Sequence, residues 1–153
     1  MSILQGKIAV VTGAGSGLGQ GVAQAFADEG ASVALIDQDI DAVEKVSENI
    51  KGRGGMAISI EADVGNEISV PDAFSKVRGS LGEVDILVNN AGIDTTSLLE
   101  DMSLDLWDNM IRVNLRSMFL CSREVIKGMK GKGWGRIINF SSLAVEIGLQ
   151  GES

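Results

Sequence analysis

Residues 12–19 combine glycines with small polar residues at a spacing that suits anion binding. The stretch reads Thr-Gly-Ala-Gly-Ser-Gly-Leu-Gly; it follows an apolar run and precedes a helical pattern. Glycines let a backbone approach a pyrophosphate, and unpaired N–H groups at a helix N-terminus attract its charge. The pattern is T-G-x-x-x-G-x-G, because Leu18 and Gln20 stand where G-x-G-x-x-G would need glycine. It predicts a dinucleotide site, with a glycine-rich turn that binds no ligand as the alternative.

Asp37 closes the second apolar run after this glycine loop. An acidic side chain about 20 residues past such a loop can accept a hydrogen bond from the ribose 2′-hydroxyl of NAD. The same carboxylate would repel the 2′-phosphate of NADP. We therefore favour a ribose-binding role for Asp37, and NAD over NADP as the cofactor. The alternative is a helix-capping aspartate, a role for which Asp39 and Asp41 compete.

Strand-like and helix-like segments alternate along the whole chain. The predicted strands are 7–12, 32–36, 57–60, 86–88 and 136–140, and the predicted helices are 17–29, 40–51, 70–81 and 103–129. The strands are apolar throughout rather than alternating, which indicates burial on both faces of a parallel sheet. The pattern predicts an α/β fold, a doubly wound, Rossmann-like parallel sheet covered by helices, in one domain of residues 1–153.

The composition narrows the possible partners. Of 153 residues, 44% are hydrophobic and 22% charged, and the formal net charge of -8 disfavours nucleic acid. There is no histidine and only one cysteine, Cys121, so we expect neither an internal disulfide nor a metal site. No run is long enough to span a membrane, and the N-terminus lacks a secretory pattern. A cytoplasmic protein without a membrane partner is the expectation.

Further motifs follow the glycine loop in order. They are Asp-Val at 63–64, Asn-Asn-Ala-Gly at 89–92, Val-Asn-Leu at 113–115 and Trp-Gly-Arg-Ile-Ile-Asn-Phe-Ser-Ser at 134–142. With T-G-x-x-x-G-x-G, this series resembles the short-chain dehydrogenase/reductase family over the whole chain. Each later motif alone has a plainer interpretation. Asn89 and Asn90 could be turn residues, Asn114 could be a core amide, and Ser141 and Ser142 could merely end a strand.

The resemblance implies an oxidoreductase that transfers a hydride between nicotinamide and an alcohol or carbonyl carbon. It assigns Ser142 as the catalytic serine, bonded to the substrate oxygen, and Asn114 as the residue that holds a water of the proton relay. The glycine loop, Asp37 and the later motifs together give a cofactor-binding set. The set is Thr12, Gly13, Gly15, Ser16, Gly17, Leu18, Gly19, Asp37, Asp63, Val64, Asn90, Ala91, Gly92 and Val113.

The family's proton donor is a tyrosine in a Tyr-x-x-x-Lys motif shortly after the serine. These 153 residues contain no tyrosine, and they end at Ser153, before that motif would fall. We therefore expect a fold truncated after the fifth strand, active only in a longer form. A non-catalytic nucleotide-binding module or an inactive fragment is the alternative. The resemblance also implies homo-oligomers, either dimers or tetramers. It leaves the substrate open between the acyl-carrier-protein thioesters of 3-oxoacyl reductases and the sugars or alcohols of related dehydrogenases.

Overall fold

The computed structural model describes residues 2–142. The predicted domain of residues 1–153 therefore extends past the described part of the chain at both ends. The strands are β1 Ile8–Thr12, β2 Ser32–Asp37, β3 Met56–Glu61, β4 Ile86–Asn89 and β5 Arg136–Asn139. The helices are α1 Gly17–Asp28, α2 Ile40–Gly52, α3 Ser69–Ser80, α4 Leu104–Ile111 and α5 Ser117–Lys132. Every predicted strand is present, with bounds that differ by one residue at most at either end.

The five strands form one parallel sheet in the order β3-β2-β1-β4-β5. Because all strands run the same way, their carboxyl ends share one edge. The chain passes outward from β1 to β2 and β3, then returns to the other side of β1 for β4 and β5. Ligands of open α/β sheets bind at the carboxyl edge where the order reverses, which here is between β1 and β4. The predicted parallel α/β fold is confirmed.

Two apolar cores lie on opposite faces of the sheet. One face packs Val10 and Leu87 against α3 and α5. The other packs Val11 and Val88 against α1 and α2. Successive side chains of a strand point to opposite faces, so strands that are apolar throughout supply both cores. The doubly wound arrangement predicted from the apolar strands is therefore confirmed.

An ion pair ties α5 to the amino edge of the sheet. Asp85 accepts hydrogen bonds from Lys132 Nζ at 2.8 Å and from the Ile8 N–H at 2.9 Å. Burial raises the pKa of Asp85, but these bonds and the Lys132 charge outweigh it and lower the pKa below its usual value. The pair therefore stabilises the fold above the ordinary carboxyl range, and the stabilisation is lost as pH falls through the lowered pKa.

The long helix predicted over 103–129 differs from the structure in one respect. It is interrupted by a π-helical turn, Arg112–Arg116, where the Ser117 N–H bonds to the Arg112 carbonyl five residues earlier. The helix then runs on to Lys132 and stops at Gly133, whose φ of 66° is left-handed. A π turn adds one residue to a helical turn, and such turns are frequent at functional sites. Within residues 2–142, no helix has the length and apolar character to cross a bilayer.

Candidate functional site

Two adjoining cavities form a groove along the carboxyl edge of the sheet. The first has a volume of about 440 Å³ and the second about 530 Å³, both within the usual range for small-molecule sites. They share Leu18 and the segment Asn90, Ala91, Gly92 and Ile93. The residues that line only the first are Gly13, Ser16, Gly17, Ile36, Asp37, Gln38, Ala62, Val64 and Val113. Those that line only the second are Asn114, Leu115, Met118, Asn139, Phe140, Ser141 and Ser142.

The glycine loop joins β1 to α1, as predicted, and the strand order of the sheet places it at the reversal point. Gly13 has a φ of 64°, and a Cβ added there would lie 2.8 Å from the Ala91 Cα. A Cβ added at Gly19 would overlap the Gly13 carbonyl oxygen and lie 2.5 Å from Asn90 Nδ2. These two glycines are therefore required by close backbone packing. Gly17, at φ 53°, faces open space in the groove instead.

Thr12 fixes the segment that both cavities share. Its buried hydroxyl oxygen accepts the Asn90 and Ala91 N–H groups, each at 3.1 Å, and its O–H donates to the Val88 carbonyl at 3.3 Å. Asn90 Nδ2 answers by donating to the Thr12 and Gly13 carbonyls at 3.0 and 3.1 Å. Thr12 itself is 2% exposed and lines neither cavity. The structure thus places it behind the site, as a support.

The N-terminus of α1 opens into the first cavity through Ser16, Gly17 and Leu18. The first N–H groups of a helix have no intrahelical acceptor. The first turns of α2, α3 and α4 each hold an aspartate, whereas that of α1 has no acidic residue, and Ser16 makes no side-chain cap. The first turn of α1 therefore carries no acidic side chain of its own where the groove passes. These features fit the pyrophosphate of a dinucleotide.

Asp37 lies at the end of β2 and lines the first cavity. Its Oδ2 accepts the Gly15 N–H at 3.0 Å, and its Oδ1 accepts the Asp39 N–H at 3.2 Å. Asp39 caps α2 by accepting the Ala42 N–H at 3.0 Å. The capping alternative for Asp37 is therefore not what the structure shows. Each Asp37 oxygen keeps acceptor capacity toward the groove.

The second cavity brings Asn114 and Ser142 together, although 27 residues and the whole of α5 separate them in the sequence. Asn114 lies in the π turn, and its amide makes a pair of bonds with the Ile93 backbone. Its Oδ1 accepts the Ile93 N–H at 2.8 Å, and its Nδ2 donates to the Ile93 carbonyl at 2.9 Å. Backbone groups do satisfy this amide, but it is half-buried at a cavity rather than in the core.

The Asp63 carboxylate is paired with an arginine of the π turn. Its carboxylate lies 2.9 and 2.6 Å from Arg112 Nη1 and also accepts the Gly65 N–H at 2.9 Å. Among the described residues that line the first cavity, its neighbour Val64 is present and Asp63 is not. Gly15 and Gly19 do not line the first cavity either. Gly15 donates its N–H to Asp37, and Gly19 packs against the Gly13 carbonyl. The sequence did not single out Arg112, Ile93 or Ile36, because nothing in local spacing marks them.

No other described group offers proton or metal chemistry in the groove. Cys121 is buried in the core, where burial and then the nearby Glu124 charge raise the pKa of its thiol to about 12. It is neither a nucleophile nor a proton donor near neutral pH. No cluster of three histidine, cysteine or carboxylate side chains that could hold a metal occurs between residues 2 and 142.

Replacing Gly19 by alanine tests whether the loop geometry is required. We expect Gly19→Ala to lower the free energy of unfolding by about 1–3 kcal/mol, because its methyl group would overlap the Gly13 carbonyl oxygen. Gly21, two residues later in α1, is the matched control, since a Cβ there meets nothing within 4 Å. Gly21→Ala should instead stabilise by about 0.5–1 kcal/mol. Urea unfolding measures both, and equal effects at the two glycines would contradict the close contact.

Comparison with known proteins shows the family of this chain. The short chain dehydrogenase family profile matches residues 7–153. An uncharacterized oxidoreductase of Bacillus subtilis, YxbG, is 41% identical over 145 residues, which cover 94% of this chain and 53% of that protein. D-threitol dehydrogenase of Mycolicibacterium smegmatis is 37% identical over 95% of this chain and 56% of its own. A 3-oxoacyl-[acyl-carrier-protein] reductase of Pseudomonas aeruginosa, FabG, is 37% identical over 98% of this chain and 61% of its own.

The fold agrees with these sequences. The crystal structure assigned as a short-chain alcohol dehydrogenase from Sinorhizobium meliloti superposes with a TM-score of 0.92 at 32% identity, over 97% of this chain and 59% of that one. The chain belongs to the short-chain dehydrogenase family. It spans 53% to 61% of the length of the three relatives described above.

Proposed function

We propose that this chain carries the cofactor site and part of the catalytic site of an NAD-dependent oxidoreductase. The reaction is hydride transfer between nicotinamide and an alcohol or carbonyl carbon of a small molecule. The observation that carries the proposal is the continuous groove along the carboxyl edge. It has the N-terminus of α1, whose first turn holds no acidic residue, and Asp37 in one cavity, and Ser142 and Asn114 in the next. The family relatives named above include dehydrogenases and reductases, which is consistent with this reaction class.

Binding falls to groups of the first cavity. Ser16, Gly17 and Leu18 present the α1 N-terminus to a pyrophosphate, and Asp37 accepts from a ribose hydroxyl. Val64 and Val113 supply apolar walls for an adenine ring. Asn90, Ala91 and Gly92 border both cavities and would contact the middle of a bound dinucleotide. The bound dinucleotide supplies the hydride-carrying ring, and the protein supplies position and polarity.

Catalysis falls to groups of the second cavity. Ser142 donates a hydrogen bond to the substrate oxygen, where negative charge grows as a carbonyl is reduced. Asn114 has its side-chain amide bonded to Ile93, so the amide holds the wall of the cavity in place. In the water-holding role that the family resemblance implies, Asn114 uses the hydrogen-bonding groups of its amide and main chain that are not bonded to Ile93. The proton donor is a tyrosine, activated by a lysine, that these 153 residues do not contain.

NAD is the cofactor we infer, in preference to NADP. Asp37 lines the cavity, and each of its carboxylate oxygens accepts a hydrogen bond from a backbone N–H group. A fixed carboxylate accepts well from a ribose diol and repels a phosphate in the same place. The substrate stays open between a polyol or sugar and an acyl thioester, because both kinds of relative match equally well. We also infer a single domain and a cytoplasmic location.

A homo-oligomer is the expected assembly of the intact protein. Large apolar side chains recur three or four residues apart from α4 through the π turn into α5 and remain exposed. They are Leu104, Trp107, Ile111, Leu115 and Phe119. A stripe of this kind on a soluble protein marks a contact surface, and a second copy presents the same stripe to it. Sedimentation equilibrium should show a dimer or larger, which Phe119→Asp should dissociate; a monomer at every concentration would contradict this.

The alternative function is a nucleotide-binding module without catalysis. Both functions predict that the 153-residue chain binds NAD and does not turn over. They differ for a chain that also carries the family's Tyr-x-x-x-Lys segment. The enzyme should then change nicotinamide absorbance with some member of a panel of polyols, sugars, hydroxyacyl thioesters and ketones. A module should bind with no turnover in any form.

A further inference from the structure

Arg112 ties together the two segments that form walls of the first cavity. Its Nη1 lies 2.9 and 2.6 Å from the carboxylate oxygens of Asp63, which is 49 residues away. Its Nε and Nη2 lie 3.2 and 3.0 Å from the Asn109 Oδ1 on the preceding turn. Each anchored residue has a cavity-lining neighbour: Val113 follows Arg112, and Val64 follows Asp63.

The contact is built into the backbone of the turn after β3. A Cβ added at Gly65 would overlap Arg112 Nη1 and lie 3.0 Å from Arg112 Cγ. A side chain at position 65 would therefore displace the guanidinium from the place that it takes beside Asp63. Asp63 also accepts the Gly65 N–H, so one carboxylate holds both the turn and the arginine. Both charged side chains are one-third exposed, unlike most surface ion pairs, which contribute little.

We propose that Arg112 is a positioning residue for the adenine end of the cofactor site. Through Asp63 it holds Val64, and through its own place in the π turn it holds Val113, so that both stay in the cavity wall. The inference rests on the proposed function. It also reassigns Asp63, whose carboxylate serves the arginine rather than the adenine ring directly. Direct recognition of the ring by Asp63 is the competing outcome of the test.

A second ion pair on the same helix offers a matched control. Arg116 lies 3.3 Å from Glu67, in the same turn that carries Asp63, but both side chains are largely exposed, at 47% and 68%. Neither lines the first cavity. Arg116→Met removes the same charge as Arg112→Met, from the same helix, without touching Asp63 or Gly65.

The test is the affinity of the 153-residue chain for ADP, IDP and inorganic pyrophosphate, measured by NMR titration. Arg112→Met should weaken the binding of ADP and of IDP by the same factor, about 5- to 30-fold. The affinity for pyrophosphate should change by no more than about twofold. Asp63→Asn should do the same, and the double variant should be little worse than either single one, because the two residues act as a pair. Arg116→Met should change nothing beyond about twofold.

Several results would overturn the inference. One is an ADP affinity unchanged by Arg112→Met. Another is a loss by Asp63→Asn that is confined to ADP, because IDP lacks the 6-amino group and such a loss would mean direct recognition. Equal loss of pyrophosphate would indicate general destabilisation. If Arg112→Met does not fold, Asn109→Ala removes the acceptor that orients the guanidinium and should give a smaller loss of the same pattern. Failure of the unaltered chain to bind any of the three would remove the proposed function as well.

Discussion

Ser142→Ala is expected to lower turnover about 100- to 1,000-fold in a chain that also carries the family's tyrosine and lysine. The oxygen that gains charge during reduction loses a hydrogen-bond donor placed for it in the second cavity. The dissociation constant of NAD should stay within about twofold, because Ser142 borders the second cavity and not the first. Turnover is followed by nicotinamide absorbance and binding by calorimetry.

Ser141 is the control for this substitution. It lines the same cavity and adjoins Ser142 in the chain, so Ser141→Ala makes the same chemical change one residue away. We expect Ser141→Ala to keep most of the activity. A larger loss of turnover in Ser141→Ala than in Ser142→Ala would mean that Ser141, and not Ser142, is the catalytic serine. Unchanged turnover in both variants would contradict the role assigned to Ser142. No turnover in any form, the extended chain without substitutions included, would favour the nucleotide-binding module. Turnover by the unaltered 153-residue chain would require a proton donor among groups that we have excluded.

Asp37→Asn is expected to narrow the preference for NAD over NADP by about 10- to 100-fold, the effect of about 1.4 to 2.7 kcal/mol. The substitution removes the charge that repels a 2′-phosphate, while its amide oxygen can still accept the Gly15 N–H that Asp37 accepts at 3.0 Å. Asp37→Ala removes that bond too, so it should also weaken NAD. Steady-state kcat/KM with both cofactors measures the preference.

Asp39 provides the matched control for charge. Asp39→Asn makes the same change two residues later, at a position that caps α2 and does not line the cavity. Asparagine also caps helices well, so α2 should be unaffected. We expect the cofactor preference to stay the same in this variant. An unaltered enzyme that uses NADP as well as NAD would contradict the role assigned to Asp37.

The fold was largely predictable because its information is local. Apolar runs of strand length, separated by helical spacing, require a parallel sheet buried on both faces, and β1 to β5 appear within one residue of their predicted bounds. The glycine loop was equally predictable, because Gly13 and Gly19 lie so close to neighbouring backbone atoms that few other residues fit there. Here composition and spacing carry the physical constraint directly.

The parts that could not be predicted depend on contacts between distant segments. The π turn at Arg112–Arg116 cannot be recognised from the spacing of apolar residues. One added residue shifts that spacing by less than the spacing already varies within ordinary helices. Arg112 contacts Asp63 only in the folded chain, because 49 positions separate the two residues in the sequence. Asn114 likewise bonds to Ile93, which lies 21 positions earlier. Thr12 was predicted among the cofactor-binding residues, and the sequence did not reveal that its hydroxyl oxygen accepts the Asn90 and Ala91 N–H groups.

The most direct test of the proposed cofactor site is a map of the amide chemical shifts of the 153-residue chain during titration with NAD. We expect saturable shifts at Gly13, Ser16, Gly17 and Leu18, at Gln38 beside Asp37, and across Asn90 to Ile93. The chain has another cavity of about 630 Å³, lined by Ile126, Trp134 and Arg136 near the start of β5, away from the glycine loop. Shifts confined to that second region, or no saturable shift anywhere, would contradict a dinucleotide site at the carboxyl edge.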